Sequence, residues 1–220
     1  MALRVTTAAA VAGATLATAL AGGTALAETG QAAGQFPKDF LLYESEARKP
    51  VDDPTEEKWT ISNKLGKNPG FSPCDLSKHM RGGQVSARTV GFNAPLFYRG
   101  EQLVVYRSES AARSAFAGLL KQARKCAKFT SHSVPFKTTT QPVKAGDQAV
   151  RVAIQGGDHP STGKPSLQGQ RAVVMRKGRA VAVYLLSGDS AEKVYDRDFT
   201  EQLRDARKMA GKVCSLPGVC

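Results

Sequence analysis

Four cysteines constrain this chain more than any other feature, provided that it folds where thiols oxidise. Cys74, Cys126, Cys214 and Cys220 form an even set in a sequence of 220 residues, and the compartment decides whether they become cross-links. The N-terminus addresses that question. Arg4 is the first charge and Glu28 the next, and the uncharged run between them ends in Ala25-Leu26-Ala27. A basic start, an apolar stretch and a small-x-small ending mark a secretory signal over residues 1–27, with cleavage expected after Ala27. The run could reach across the ~30 Å hydrocarbon layer of a bilayer. Its Ala, Thr and Gly residues supply little transfer energy, however, and no cysteine precedes Cys74 to accept a lipid. No transmembrane anchor is expected, and the mature chain is expected in the extracellular or cell-wall space.

Two disulfides follow, with three possible connectivities. Zinc is the competing use of the cysteines, but no C-x-x-C occurs, and His79, His132 and His159 lie far apart with only His79 near a cysteine. The tail Cys214-Ser-Leu-Pro-Gly-Val-Cys220 contains a Pro-Gly turn. The preferred pairing is therefore Cys214 with Cys220 and Cys74 with Cys126; the alternative closes Cys126 with Cys214.

Along the chain, residues 28–57 read as a flexible N-terminal extension and 58–220 as one domain. Trp59 to Met80 is rich in turn formers and reads as a loop stapled by Cys74. Strands are expected at Val85–Phe92, Glu101–Arg107, Phe129–Phe136, Ala149–Ile154, Gln170–Arg176 and Ala180–Ser187, the last two joined by a turn at Lys177-Gly178. Ser108 caps a helix whose Ala112, Ala115, Phe116, Leu119 and Ala123 recur at helical spacing. A second helix carries the stripe Phe199, Leu203, Ala206, Ala210 and Val213, with acids at its start and bases toward its end. Without regular βαβ alternation, this order predicts an α+β fold: an antiparallel β-sheet with two main helices packed on one face, stapled by disulfides.

The stretch Gln102-Leu103-Val104-Val105-Tyr106-Arg107-Ser108, then Ala111-Ala112 and a helix ending at Cys126, resembles the PknH-like family, the extracytoplasmic sensor domain of actinobacterial receptor Ser/Thr kinases. Gly146-Asp147-Gln148-Ala149, the hairpin from Val173 to Val181 and a terminal helix followed by Cys214 fit the same pattern. The similarity runs from about Trp59 to Cys220. It implies a secreted, disulfide-linked α+β domain with a ligand cleft and no enzymatic activity of its own. The membrane helix and kinase of those receptors are not expected with this chain, so the resemblance does not imply direct signalling by it.

No G-x-S-x-G, Walker or dinucleotide glycine motif is present, so no reaction and no cofactor is expected. Asp158-His159 and Ser187 are the sole candidates for an unrecognised hydrolase. Trp59, Phe92, Phe97 and Tyr98 are candidate ligand-cleft residues, although core packing is the commoner use of each. Asp147 is a candidate cleft carboxylate or, more simply, a turn residue satisfied locally.

Charge supplies one more reading. With 31 Lys+Arg against 19 Asp+Glu the chain carries +12. Arg171, Arg176, Lys177 and Arg179 form a candidate group for an anionic surface, beside Lys121, Arg124, Lys125 and Lys128 and a third group on the last helix. No aromatics interleave with these bases, so specific nucleic-acid recognition is not expected. The expected partner is a small or polymeric envelope ligand, and the expected role is that of a secreted, non-enzymatic, sensor-like binding domain.

Overall fold

The computed structural model describes residues 36–72, 74–158, 161, 163, 168–189 and 194–220. The expected signal segment, residues 28–35 and His159 lie outside the described residues.

Eight strands form one sheet: β1 (Lys58–Ser62), β2 (Gln84–Ala94), β3 (Phe97–Tyr106), β4 (Lys128–Ser131), β5 (Val134–Pro142), β6 (Gln148–Gly156), β7 (Gln168–Lys177) and β8 (Ala180–Asp189). Their order is β1-β2-β3-β8-β7-β6-β5-β4, and every neighbouring pair is antiparallel. The chain climbs from one edge through β3 and enters helix α1 (Glu109–Lys125), which delivers it to the opposite edge. It then returns through successive antiparallel neighbours until β8 closes on β3. Ser108 caps α1 as expected, its Oγ accepting the Ala111 N–H at 3.1 Å. Helix α2 (Thr200–Lys212) is followed by a 3-10 turn at Val213–Ser215.

The sheet is antiparallel and carries two helices, but they do not share a face. Val104, Val174 and Val183 pack with Ala112, Phe116 and Leu119 of α1. The alternate residues Leu103, Val173 and Ala182 pack with Ala206 and Met209 of α2. One helix therefore covers each side. The cause lies in the central strands: β7 is buried at eight consecutive positions, and a strand apolar on both sides needs a cover on both.

The described part of the expected N-terminal extension also differs. Phe36, Phe40, Leu41 and Tyr43 are buried in the core on the α2 side, so residues 36–48 act as a strap across the sheet. Glu44 is only 1% exposed and receives Arg88 Nη1 at 2.9 Å, while Arg88 also donates to the carbonyls of Phe36 and Pro37. Phe40, Leu41 and Tyr43 carry enough apolar surface to make the segment core rather than linker.

Smaller departures have local causes. β1 and a 3-10 turn at Leu76–Met80 lie inside the stretch expected to be loop. The strand expected over 129–136 is a hairpin, because His132 and Ser133 take positive φ values of 47° and 66° and supply a two-residue turn. In the β7–β8 hairpin Lys177 pairs with Ala180, so the turn is Gly178-Arg179, one residue later than expected. Both disulfides are those preferred from the sequence, Cys74–Cys126 and Cys214–Cys220.

Candidate functional site

Three of the four aromatic candidates converge. Trp59 of β1 is the register partner of Phe92 on β2, with ring centroids 4.9 Å apart, and Phe97 meets Phe92 edge-on at 6.1 Å. Together with Arg99, Glu46 and Lys49 they line a cleft of about 350 Å³. Tyr98, one residue on from Phe97, projects to the other face of β3, where its hydroxyl donates to the Pro69 carbonyl at 2.8 Å. Burial pushes that hydroxyl up to about 12. Tyr98 instead lines a second cleft of about 360 Å³ with Phe97, His132 and Ser187. Asp158, the other described member of the hydrolase candidates, does not line it.

Asp147 is a turn lock. It accepts Lys177 Nζ at 2.9 Å and the Gly178 N–H at 2.8 Å, and lies 3.2 Å from Arg176 Nη1. Burial pushes its carboxyl up, but Lys177, the Gly178 amide and Arg176 outweigh this and leave it below its ordinary range.

The basic group proposed for an anionic surface is overturned as a surface. Arg171 is 2% exposed and Arg176 4%. Arg171 donates to Gln155 Oε1 at 2.7 Å and faces Asp198, while Arg176 is held by Gln148, Glu109 and Asp147. Lys177 is tied to Asp147, and Arg179 donates to the carbonyls of Tyr106 and Gly218. Buried guanidinium groups must find acceptors, and these four serve the hairpin and sheet.

A groove that the sequence reading did not identify lies at the opposite edge. It has a volume of about 760 Å³ and is lined by Lys128, Thr130, Pro135, Lys137, Thr139, Gln155 and Val194 among others, with Phe129 and Phe136 beside them. The two phenylalanines stack at 5.3 Å with their planes 12° apart. Lys128 and Lys137 are direct register partners across β4 and β5. Alternation of exposed and buried positions along β5 was the available signal: Pro135, Lys137 and Thr139 face outward while Val134, Phe136 and Thr138 face the α1 side. In the sequence Lys128 groups with the helix bases Lys121, Arg124 and Lys125, while Lys137 stands apart from any basic group.

Similarity to known proteins is confined to structure. No family model and no curated protein matches the chain. The extracellular domain of PknH from Mycobacterium tuberculosis aligns with a TM-score of 0.43 and 13% identity, over 80% of this chain and 91% of that one. A putative uncharacterised protein from Mycobacterium smegmatis, an Rv0999 ortholog, aligns with a TM-score of 0.35 and 11% identity, over 81% and 95%.

Beneath the strap lies a buried polar cluster with no counterpart in the sequence reading. Glu101 of β3 is 0% exposed and accepts the Leu42 N–H at 3.0 Å, the Tyr43 N–H at 2.8 Å and the Tyr184 hydroxyl at 2.8 Å. Tyr43 in turn donates to Asp205 Oδ2 at 2.9 Å, and Arg99 stacks 3.9 Å above the Tyr43 ring. Desolvation pushes the Glu101 carboxyl up to about 7, against the three donors that pull it down. Its partners belong to the strap, the sheet and α2, so the cluster holds the layers together. Among the described residues no group of three or more His, Cys, Asp or Glu could hold a metal, and no helix is long and apolar enough to cross a membrane.

Proposed function

We propose that this protein is a secreted, non-enzymatic, sensor-like binding domain that takes a ligand of the cell envelope or exterior into the groove at the β4–β5 edge. The supporting observation is the groove's volume, about 760 Å³, within the range of about 300–1,000 Å³ usual for small-molecule sites. Its lining combines apolar surface with two amines, two hydroxyls and an amide. Those groups orient a ligand; they do not form a nucleophile with a base and an orienting partner. The two disulfides and the strap give the sheet the rigidity that such a seat requires.

Thermal shift of the mature protein against a panel of soluble wall fragments, lipids and small metabolites tests the reading, with Thr139→Trp as a variant that fills the groove. A stabilising compound whose effect disappears in Thr139→Trp is expected. Turnover of an ester, peptide or glycan that is lost in Ser187→Ala, or stabilisation by every hit that survives Thr139→Trp, would overturn it.

A further inference from the structure

The arginines of the central sheet are committed to partners: Arg88 to Glu44, Arg99 to Glu46 and Glu201, Arg151 to Asp196, and Arg176 to Glu109 and Asp147. The edge hairpin is arranged differently. Lys128 and Lys137 stand directly opposite one another in the β4–β5 register, where side chains of facing residues start about 4.5–5.5 Å apart and like charges repel. From Ser110 to Gly146 the sequence holds seven Lys or Arg and no Asp or Glu, and none of the described groove residues is acidic.

We infer that the edge groove is an anion site for a small amphiphile, whose phosphate or carboxylate head sits between Lys128 and Lys137 and whose apolar body lies along Pro135 and Val194. This rests on the groove being the ligand seat and adds the class of ligand. Two ammonium groups on facing positions of adjacent strands converge on one anionic head, which relieves their mutual repulsion as it binds. Thr130 and Thr139 supply hydroxyl donors on the same wall. A free inorganic anion would use the lysines alone and leave the apolar lining wet, while a neutral amphiphile would use the lining and leave the repulsion in place. Only a molecule with both parts matches the whole groove.

Lys128 and Lys137 are both exposed, so the double variant Lys128→Ala/Lys137→Ala is expected to fold, which its thermal unfolding checks. The probes are dodecyl phosphate, dodecanoate, the neutral dodecyl maltoside, inorganic phosphate and heparin, titrated calorimetrically below the micellar concentration of each amphiphile. Dodecyl phosphate or dodecanoate is expected to bind one-to-one, at least tenfold more weakly in the lysine double variant and in Thr139→Trp, and more weakly as salt rises. The comparison of the two anionic amphiphiles identifies the head preferred. Binding of dodecyl maltoside with equal strength, unchanged by the lysine substitutions, overturns the inference and leaves the groove as a neutral-ligand seat. Binding of heparin without either anionic amphiphile overturns it in favour of a polymer. Binding of no probe overturns the anionic-amphiphile assignment, while the wider panel with Thr139→Trp still decides whether the groove is a ligand seat at all.

Discussion

Glu101 of β3 accepts the backbone N–H of Tyr43 at 2.8 Å, and that contact ties a strap from the beginning of the described chain to the middle of the sheet. The same carboxyl, buried and pushed up to about 7 chiefly by desolvation with Asp205 adding to the effect, gives stability a distinctive pH dependence. Folding raises its pKa, so the folded state holds the proton more tightly than the unfolded chain. The favourable contribution is full below the ordinary carboxyl value of 4.5 and is lost as pH rises through about 7. At ~1.4 kcal/mol per pKa unit, this one group is expected to lower the unfolding free energy by about 3 kcal/mol between acidic and mildly alkaline pH. Urea unfolding across that range checks it, and Glu101→Gln should flatten the slope while costing about 1–3 kcal/mol through the N–H it leaves unpaired.

The two disulfides should differ in worth. Cys74–Cys126 closes a separation of 52 residues and Cys214–Cys220 one of 6. On the loop-entropy account these correspond to about 4 and about 2 kcal/mol. Urea unfolding of the paired Cys→Ser variants is expected to rank them in that order. An equal loss from both would show that the long loop is already restricted in the unfolded chain.

Features set by neighbours in sequence were legible, and those set by neighbours in space were not. Ser108, Ala112 and Leu119 announce α1 because a cap and a helical stripe are local. The pairing of Cys214 with Cys220 follows from a turn between them. By contrast, Val173, Val174 and Met175 form an apolar run that reads the same whether one face or both are covered, so the placement of α1 and α2 on opposite faces had no signature. Arg171 looked like a surface base because its partners, Gln155 and Asp198, are 16 and 27 residues away. The aromatic cleft was half visible: Trp59, Phe92 and Phe97 could be named, but the pleat that separates Tyr98 from Phe97 required the strand register. The lysine pair of the edge groove depends on the two-residue turn at His132-Ser133, whose left-handed backbone the residue types do not demand.

Asp147→Asn isolates the turn lock. The substitution keeps the shape but removes the charge facing Lys177 and the nearly buried Arg176, leaving Arg176 with the half-exposed Glu109 as its remaining acidic partner. Removing one partner of a fully buried pair costs about 3–5 kcal/mol. Asp147 is partly solvated, so about 2 kcal/mol is expected. Because its carboxyl lies below its ordinary range, the wild-type advantage should be present at neutral pH and fade as pH falls through the acid range, opposite in sign to the Glu101 effect. Ligand binding at the β4–β5 edge should be unchanged, since none of these residues lines the groove.

Gly178→Ala should loosen the C-terminal tail. Gly178 has φ of 53°, and a Cβ there would lie 2.1 Å from the Val219 carbonyl oxygen, the atom that accepts the Arg179 N–H at 2.8 Å. An alanine adds left-handed backbone strain of about 1 kcal/mol and also forces the carbonyl away, so the hydrogen bond and the neighbouring contact of Arg179 with Gly218 are lost together. A destabilisation of about 2–3 kcal/mol is expected in urea. Hydrogen exchange gives the sharper readout: the Arg179 amide should lose protection in the variant, while the amides of β3 paired with β8 should open only with the global unfolding. Retained protection at Arg179 would mean that the tail moves with the turn and that the close approach is not what holds it.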